Sequence, residues 1–106
     1  MKTPYIVVLV TTANKQEAEK IVKTLLAAKL VACGNIISPV TSLFGWSGQI
    51  KKAEECLIVM KSRRDLFERI SESVKALHSY EVPEILSFEV MDGSKNYLDW
   101  LESCLK

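Results

Sequence analysis

A β-α-β-β-α-β chain with helices packed on one face of an antiparallel sheet, a ferredoxin-like α+β sandwich, is the fold class this sequence predicts. Three observations predict it. Apolar, β-branched runs alternate with helical patterns. The two amphipathic patterns fall one in each half of the chain. Between them, two long extended runs meet at Gly45-Trp46-Ser47-Gly48. At 106 residues, positions 1–106 are expected to form one domain. A chain of that size buries roughly 65% of its extended surface, enough for a core without staples.

Tyr5 to Thr12 is an almost unbroken apolar and β-branched run, the pattern of a strand buried on both faces. Asn14 with Glu17 reads as a capping-box-like helix start. Ala18, Ile21, Val22, Leu25 and Leu26 then fall on one helical face, and Lys29-Leu30 closes the helix. Val31 to Phe44 is extended, with Ser38-Pro39 predicting a bulge or bend. Gly45 to Gly48 reads as the turn, and Gln49 to Lys61 as the returning strand. Ser62 with Asp65 reads as an N-cap for a second helix carrying Leu66, Phe67, Ile70, Val74 and Leu77 and ending near His78. Glu84 to Met91 is the fourth strand. Asp92-Gly93-Ser94 caps an extra C-terminal helix with Tyr97, Leu98, Leu101, Cys104 and Leu105 on one face.

The β2-β3 hairpin is longer than the fold requires, since strands average about 5–6 residues. A hairpin that outreaches its helices leaves apolar surface uncovered, with Phe44 and Trp46 near its tip. Pairing with further copies of the chain is the simplest remedy, so a homo-oligomer built through the hairpin is expected.

Composition excludes several functions. Net charge is +1, from 14 basic and 13 acidic residues, which leaves no electrostatic footprint for nucleic acid or an anionic membrane. The third strand, Glu55-Cys56-Leu57-Ile58-Val59-Met60, lacks the aromatic pair of an RNA-recognition sheet. The first strand-to-helix loop has neither the CxxC of a soft-metal chaperone nor a phosphate-cradling glycine run. Cys33, Cys56 and Cys104 are widely spaced and odd in number, which fits a reducing compartment. With no signal-like N-terminus and no apolar run of about 20 residues, a soluble cytoplasmic protein is expected.

One stretch gathers chemistry: His78-Ser79-Tyr80-Glu81-Val82-Pro83-Glu84 holds the only histidine, a phenol and two carboxylates where helix gives way to strand. Pro83 enforces that change by fixing its own φ and pushing Val82 out of helical geometry. A solvated turn is the plain alternative. An imidazole and a carboxylate this close can move protons, but no nucleophile or oxyanion donor accompanies them, so no enzyme is expected.

Taken together, Leu30-Val31-Ala32-Cys33-Gly34-Asn35-Ile36, Val40 to Ile50, Glu55, Lys61, His78 to Ile85 and Tyr97-Leu98-Asp99-Trp100 resemble the CutA divalent-cation tolerance family, in order and spacing, over nearly the whole chain. The resemblance implies a compact trimer similar in assembly to PII-type signal proteins. It also implies a link to divalent metals, copper especially, an association in animals with acetylcholinesterase anchoring, and no established enzymatic activity. On matching positions it implies a cleft between protomers gathering Cys33, Trp46, Glu55, Lys61, His78, Tyr80 and Glu84. Within that set, Cys33, His78 and Glu84 are the candidate metal ligands, suited to copper or zinc. Trp46, Glu55, Lys61 and Tyr80 are the candidate ligand-binding groups. The alternatives are a sheet-packed thiol at Cys33, a helix-end cation at His78, solvated charges at Glu55 and Lys61, and interface packing for Trp46 and Tyr80. A second functional reading is a PII-like trimer sensing a small anion through Lys61, His78 and Glu55. The chain departs from the family pattern with Ser62 in place of a threonine and with Gly34, whose backbone freedom is expected to affect how Cys33 points.

Overall fold

The sheet is built outward from β1 (Tyr5–Thr12), which pairs with β3 (Gln49–Arg63) on one side and β4 (Ile85–Glu89) on the other. β2 (Cys33–Trp46) pairs with β3, giving the order β2-β3-β1-β4 with every pairing antiparallel. These strands alternate with α1 (Lys15–Ala27) and α2 (Phe67–Leu77), and α3 (Lys95–Ser103) follows β4. A computed structural model describes residues 3–106. This is the expected ferredoxin-like α+β fold with its extra helix.

The core lies between one sheet face and helices α1 and α2. Ile6, Val8, Val10 and Thr12 are buried and pair across the sheet with Ser62, Met60, Ile58 and Cys56. Ala18, Ile21, Val22 and Leu25 from α1, with Ile70 and Val74 from α2, close over them. β1 is thus fully buried on one face only. Its alternate residues, Tyr5, Val7, Leu9 and Thr11, are half-buried, which corrects the expectation of burial on both faces.

Asn14 caps α1 as expected, its side chain accepting the Glu17 N–H at 2.8 Å. The reciprocal bond of a capping box is not made. The Glu17 carboxylate instead accepts the Ser79 N–H at 3.3 Å, tying the start of α1 to the 78–84 corner. The helix ends in a Schellman arrangement, Lys29 N–H to the Leu26 carbonyl and Leu30 N–H to the Leu25 carbonyl. Lys29 stands at φ 58, the left-handed position usually given to glycine.

The Ser62 cap expectation is overturned. Ser62 is the buried penultimate residue of β3, and its hydroxyl donates to the Leu30 carbonyl at 2.5 Å. A short 3-10 turn, Arg64–Leu66, leads into α2 without a side-chain cap. Asp65 accepts from the Arg63 guanidinium instead. Gly34 is explained by space rather than freedom: a Cβ there would lie 2.7 Å from Cγ1 of Val22 in α1.

The hairpin is long, with 14 and 15 residues in its arms, against 8 in β1 and 5 in β4. Its turn is tighter than the four residues expected. Trp46 still pairs with Gln49, leaving Ser47 and Gly48 as a two-residue loop, both at positive φ. The register shifts between Ile37 and Val40, at the Ser38-Pro39 step where a bulge was expected.

The second sheet face is apolar and only partly covered. α3 reaches one end of it: Tyr97 approaches Cys33, and Glu102 accepts from Tyr5 at 2.9 Å and from Arg63 at 2.7 Å. By strand alternation these three partners lie opposite α1 and α2. Beyond them Ile37, Leu86 and Phe88 stand about half exposed beside Val7, Leu9, Leu57 and Val59. Among the described residues no helix is long and apolar enough to cross a membrane.

Candidate functional site: a groove at the helix-to-strand corner

His78 ends α2 in extended geometry, and its side chain is fully enclosed. One ring nitrogen, Nε2, lies 2.7 Å from the Thr11 carbonyl, and the other, Nδ1, lies 3.0 Å from the Tyr80 amide nitrogen. A carbonyl only accepts and an amide N–H only donates. The bonds therefore select the neutral tautomer with the proton on Nε2. Nδ1 also sits 3.3 Å from the Glu17 carboxylate. His78 thus pins the corner to β1 and α1, and both of its nitrogens are engaged within the protomer.

That pinning carries Tyr80 to the sheet. Its ring stacks at a tilt on His78, with centroids 4.8 Å apart, and its hydroxyl donates to Glu55 at 2.5 Å. Burial, then the Glu55 carboxylate accepting its proton, pushes the Tyr80 phenol up to about 12. The phenol is a permanent donor at neutral pH. Between this corner and the outer hairpin runs an open groove of about 1030 Å³. Trp46, Glu55, Tyr80 and Glu84, four of the seven candidate residues, line it together.

The other three lie elsewhere. Cys33 pairs with Lys61 across β2 and β3. The Cys33 thiol contacts the Tyr97 hydroxyl at 3.8 Å, and the Lys61 ammonium is hydrogen-bonded to the Asn35 side chain. Burial, then the Cys33 contact, raises the Tyr97 phenol. Lys61 lies six positions beyond Glu55 along β3, about 20 Å at ~3.3 Å per residue. Through the pairings of Thr11 and Cys33 with Leu57 and Lys61, His78 and Cys33 stand roughly 13 Å apart along the strands and two strands across. Among the described residues no three His, Cys, Asp or Glu side chains come together as a metal site. Lys61, His78 and Glu55 are likewise not assembled around a common anion within one protomer.

Sequence reasoning missed Thr11, Glu17 and Asn35, whose carbonyl, carboxylate and amide hold the candidates in place. Only the capping pattern at Glu17 gave a hint, because these partners are 26 to 67 residues away in sequence.

An antiparallel ferredoxin-like sheet, an overlong hairpin and a polar groove at the helix-to-strand corner define the class of protein. The chain belongs to the CutA1 divalent ion tolerance protein family, whose pattern matches residues 6–104. It is 40% identical to the divalent-cation tolerance protein CutA of Thermus thermophilus, over 90% of this chain and 92% of that one. It is 37% identical to the chloroplastic protein CutA of Arabidopsis thaliana, over 94% of this chain and 55% of that longer one. Among solved structures, CutA1 from Oryza sativa superposes with a TM-score of 0.94 at 34% identity, covering 99% of this chain and 96% of that one. The Thermus thermophilus protein superposes with a TM-score of 0.93 at 37% identity, covering 96% and 99%.

Proposed function

We propose that this chain forms a homotrimer that binds or responds to divalent transition metals, copper foremost, through clefts between protomers. Membership of a divalent ion tolerance family supports the metal link. The observation that carries the inter-protomer site is the separation of the candidate ligands. Cys33 and Glu84 lie near opposite ends of the sheet region, and neither a thiol alone nor a carboxylate alone makes a transition-metal site. Uncovered surface supports the assembly: Ile37, Leu86 and Phe88 on the open face, and Leu43, Trp46 and Ile50 at the hairpin tip, are 49 to 83% exposed. Patches of this kind mark contacts between subunits. In this reading the Cys33 thiolate of one copy and the Glu84 carboxylate of another hold the metal. His78 joins when its Nδ1 releases the Tyr80 amide.

The reading is of a binding protein rather than an enzyme, because the one imidazole is committed to a carbonyl and an amide and faces no nucleophile. Three free thiols support a reducing, cytoplasmic setting. Calorimetric titration with copper and zinc, with the mass followed by light scattering, tests the proposal. It expects tight binding at one site per protomer, lost in Cys33→Ser/His78→Ala while the trimeric mass persists. Equal binding by that variant, or a monomeric wild-type mass, refutes the assignment.

A further inference from the structure

The link from β4 to α3 does not play the capping part its sequence suggests. Ser94 is the N-cap of α3, but its side chain makes no capping bond. Residues 90–94 lie outside helix and strand, and 91–94 are exposed. The Val90 N–H donates to the Tyr5 carbonyl at 3.0 Å, and the Leu98 N–H donates to the Ser94 carbonyl at 3.0 Å. Between these anchors Met91, Asp92 and Gly93 make no hydrogen bond among the described residues, and the Asp92 carboxylate has no ion-pair partner there. Asp92-Gly93 is also the only place where Asp or Asn precedes Gly. The remaining Asp and Asn residues are restrained. The side chains of Asn14, Asn35, Asp65 and Asp99 bond to the Glu17 N–H, the Lys61 ammonium, the Arg63 guanidinium and the Lys95 ammonium. Asn96 lies within α3, where helical geometry fixes the backbone rotation, and bulky Tyr97 follows it.

We propose that Asp92 is a site of spontaneous isoaspartate formation, and that the change loosens α3 from the Cys33 end of the sheet. Gly93 has no Cβ to shield its amide nitrogen, and its backbone freedom lets that nitrogen approach the Asp92 carboxyl. The Gly93 nitrogen bonds to Cγ of Asp92, a Cγ–O bond breaks, and the amide proton leaves with the carboxyl hydroxyl as one water. A second water reopens the resulting succinimide. Attack at Cγ restores aspartate. Attack at the α-carbonyl leaves the chain running through Cγ, with the α-carboxylate as the new side group. No electron is transferred and no cofactor takes part. The link gains one backbone carbon at a packed point, because a Cβ on Gly93 would lie 3.0 Å from Cδ2 of Leu98 in α3. The same helix holds the Tyr97 hydroxyl 3.8 Å from the Cys33 thiol. Moving the start of α3 therefore uncovers that thiol.

To test this, the full chain would be kept warm at neutral pH for several weeks with a chelator and a reductant present. Isoaspartate is counted by methyl transfer from S-adenosylmethionine, catalysed by an isoaspartyl methyltransferase. It is mapped by peptide separation, where the isomer elutes apart at unchanged mass. Position 92 should carry more isoaspartate than all other Asp and Asn positions together. Asp92→Glu, which would have to close a six-membered ring, should carry none there. Asp92→Asn, which loses ammonia instead of water, should convert several times faster. Brief alkylation of the folded protein, read on the peptide that holds Cys33, should be severalfold faster in converted chains than in fresh ones, and unchanged in aged Asp92→Glu. No isoaspartate at position 92, or as much elsewhere, overturns the modification site. Equal Cys33 alkylation in converted and fresh chains overturns the loosening of α3. The step involves no metal, so it stands or falls apart from the copper titration.

Discussion

The two halves of the β2-β3 hairpin share one ladder and behave as different materials. In the inner half, Cys33–Ile37 against Leu57–Lys61, every second residue of β3 is buried beneath α1 and α2. In the outer half, beyond the register shift at Ser38-Pro39, no residue from Val40 to Glu55 is buried. Inner residues are held by packing, outer ones by the strand ladder and, at Glu55, by the Tyr80 hydroxyl. The outer half is therefore free to carry exposed Lys51, Lys52, Glu54 and Trp46, groups a core would not tolerate. A protein that needs surface for partners or ligands gains it here by extending strands past its helices.

Substitutions should respond to that boundary. Ile58→Ala, at a side chain with no exposure, should lower unfolding free energy by about 4 kcal/mol in chemical denaturation. Its outer counterpart Ile50→Ala, at 83% exposure, should change protomer stability by less than about 0.5 kcal/mol. Equal losses at the two sites would remove the distinction. Gly34→Ala should cost about 2 kcal/mol, because the new methyl meets the branched Val22 side chain, and Val22→Ala should recover much of that loss. Ser62→Ala should cost about 1–2 kcal/mol by leaving the Leu30 carbonyl without its buried donor.

A smaller loss than at Ser62 lies at the corner. Tyr80→Phe keeps the ring and should cost less than about 1 kcal/mol at neutral pH. Its signature is in alkaline titration. A phenol raised from 10.0 to about 12 adds stability that is complete below pH 10 and is lost as pH rises through the folded value. Ultraviolet titration should show the last-ionising tyrosine missing in Tyr80→Phe. Unchanged curves would mean that the Glu55 contact does not hold the proton.

Most of the fold was legible because periodicity speaks directly to burial. The apolar runs of β1 and β3 and the i, i+3, i+4 faces of α1 and α2 placed every element to within a few residues. Ser62 misled because a hydroxyl before an acidic residue looks like a cap, and only the tertiary position of Leu30 shows that it closes a strand-end bond. The candidate site was half legible. Tyr80, Glu55, Trp46 and Glu84 meet in the groove, whereas Cys33 and Lys61 lie at the far end of the sheet. Local sequence reads a helix-to-strand corner well. It does not reveal where Cys33 falls against the 15-residue β3, since that depends on register.

The central claim is that candidate ligands separated within one protomer are united between copies, and complementation tests it most directly. Cys33→Ser and Glu84→Ala protomers would be unfolded together, refolded as an equal mixture, and titrated with copper. Each variant alone should lack the tight site. The mixture should regain it at roughly a quarter of the wild-type stoichiometry, because some contacts then pair an intact Cys33 with an intact Glu84. A mixture that binds no better than either variant alone would contradict a site shared between protomers.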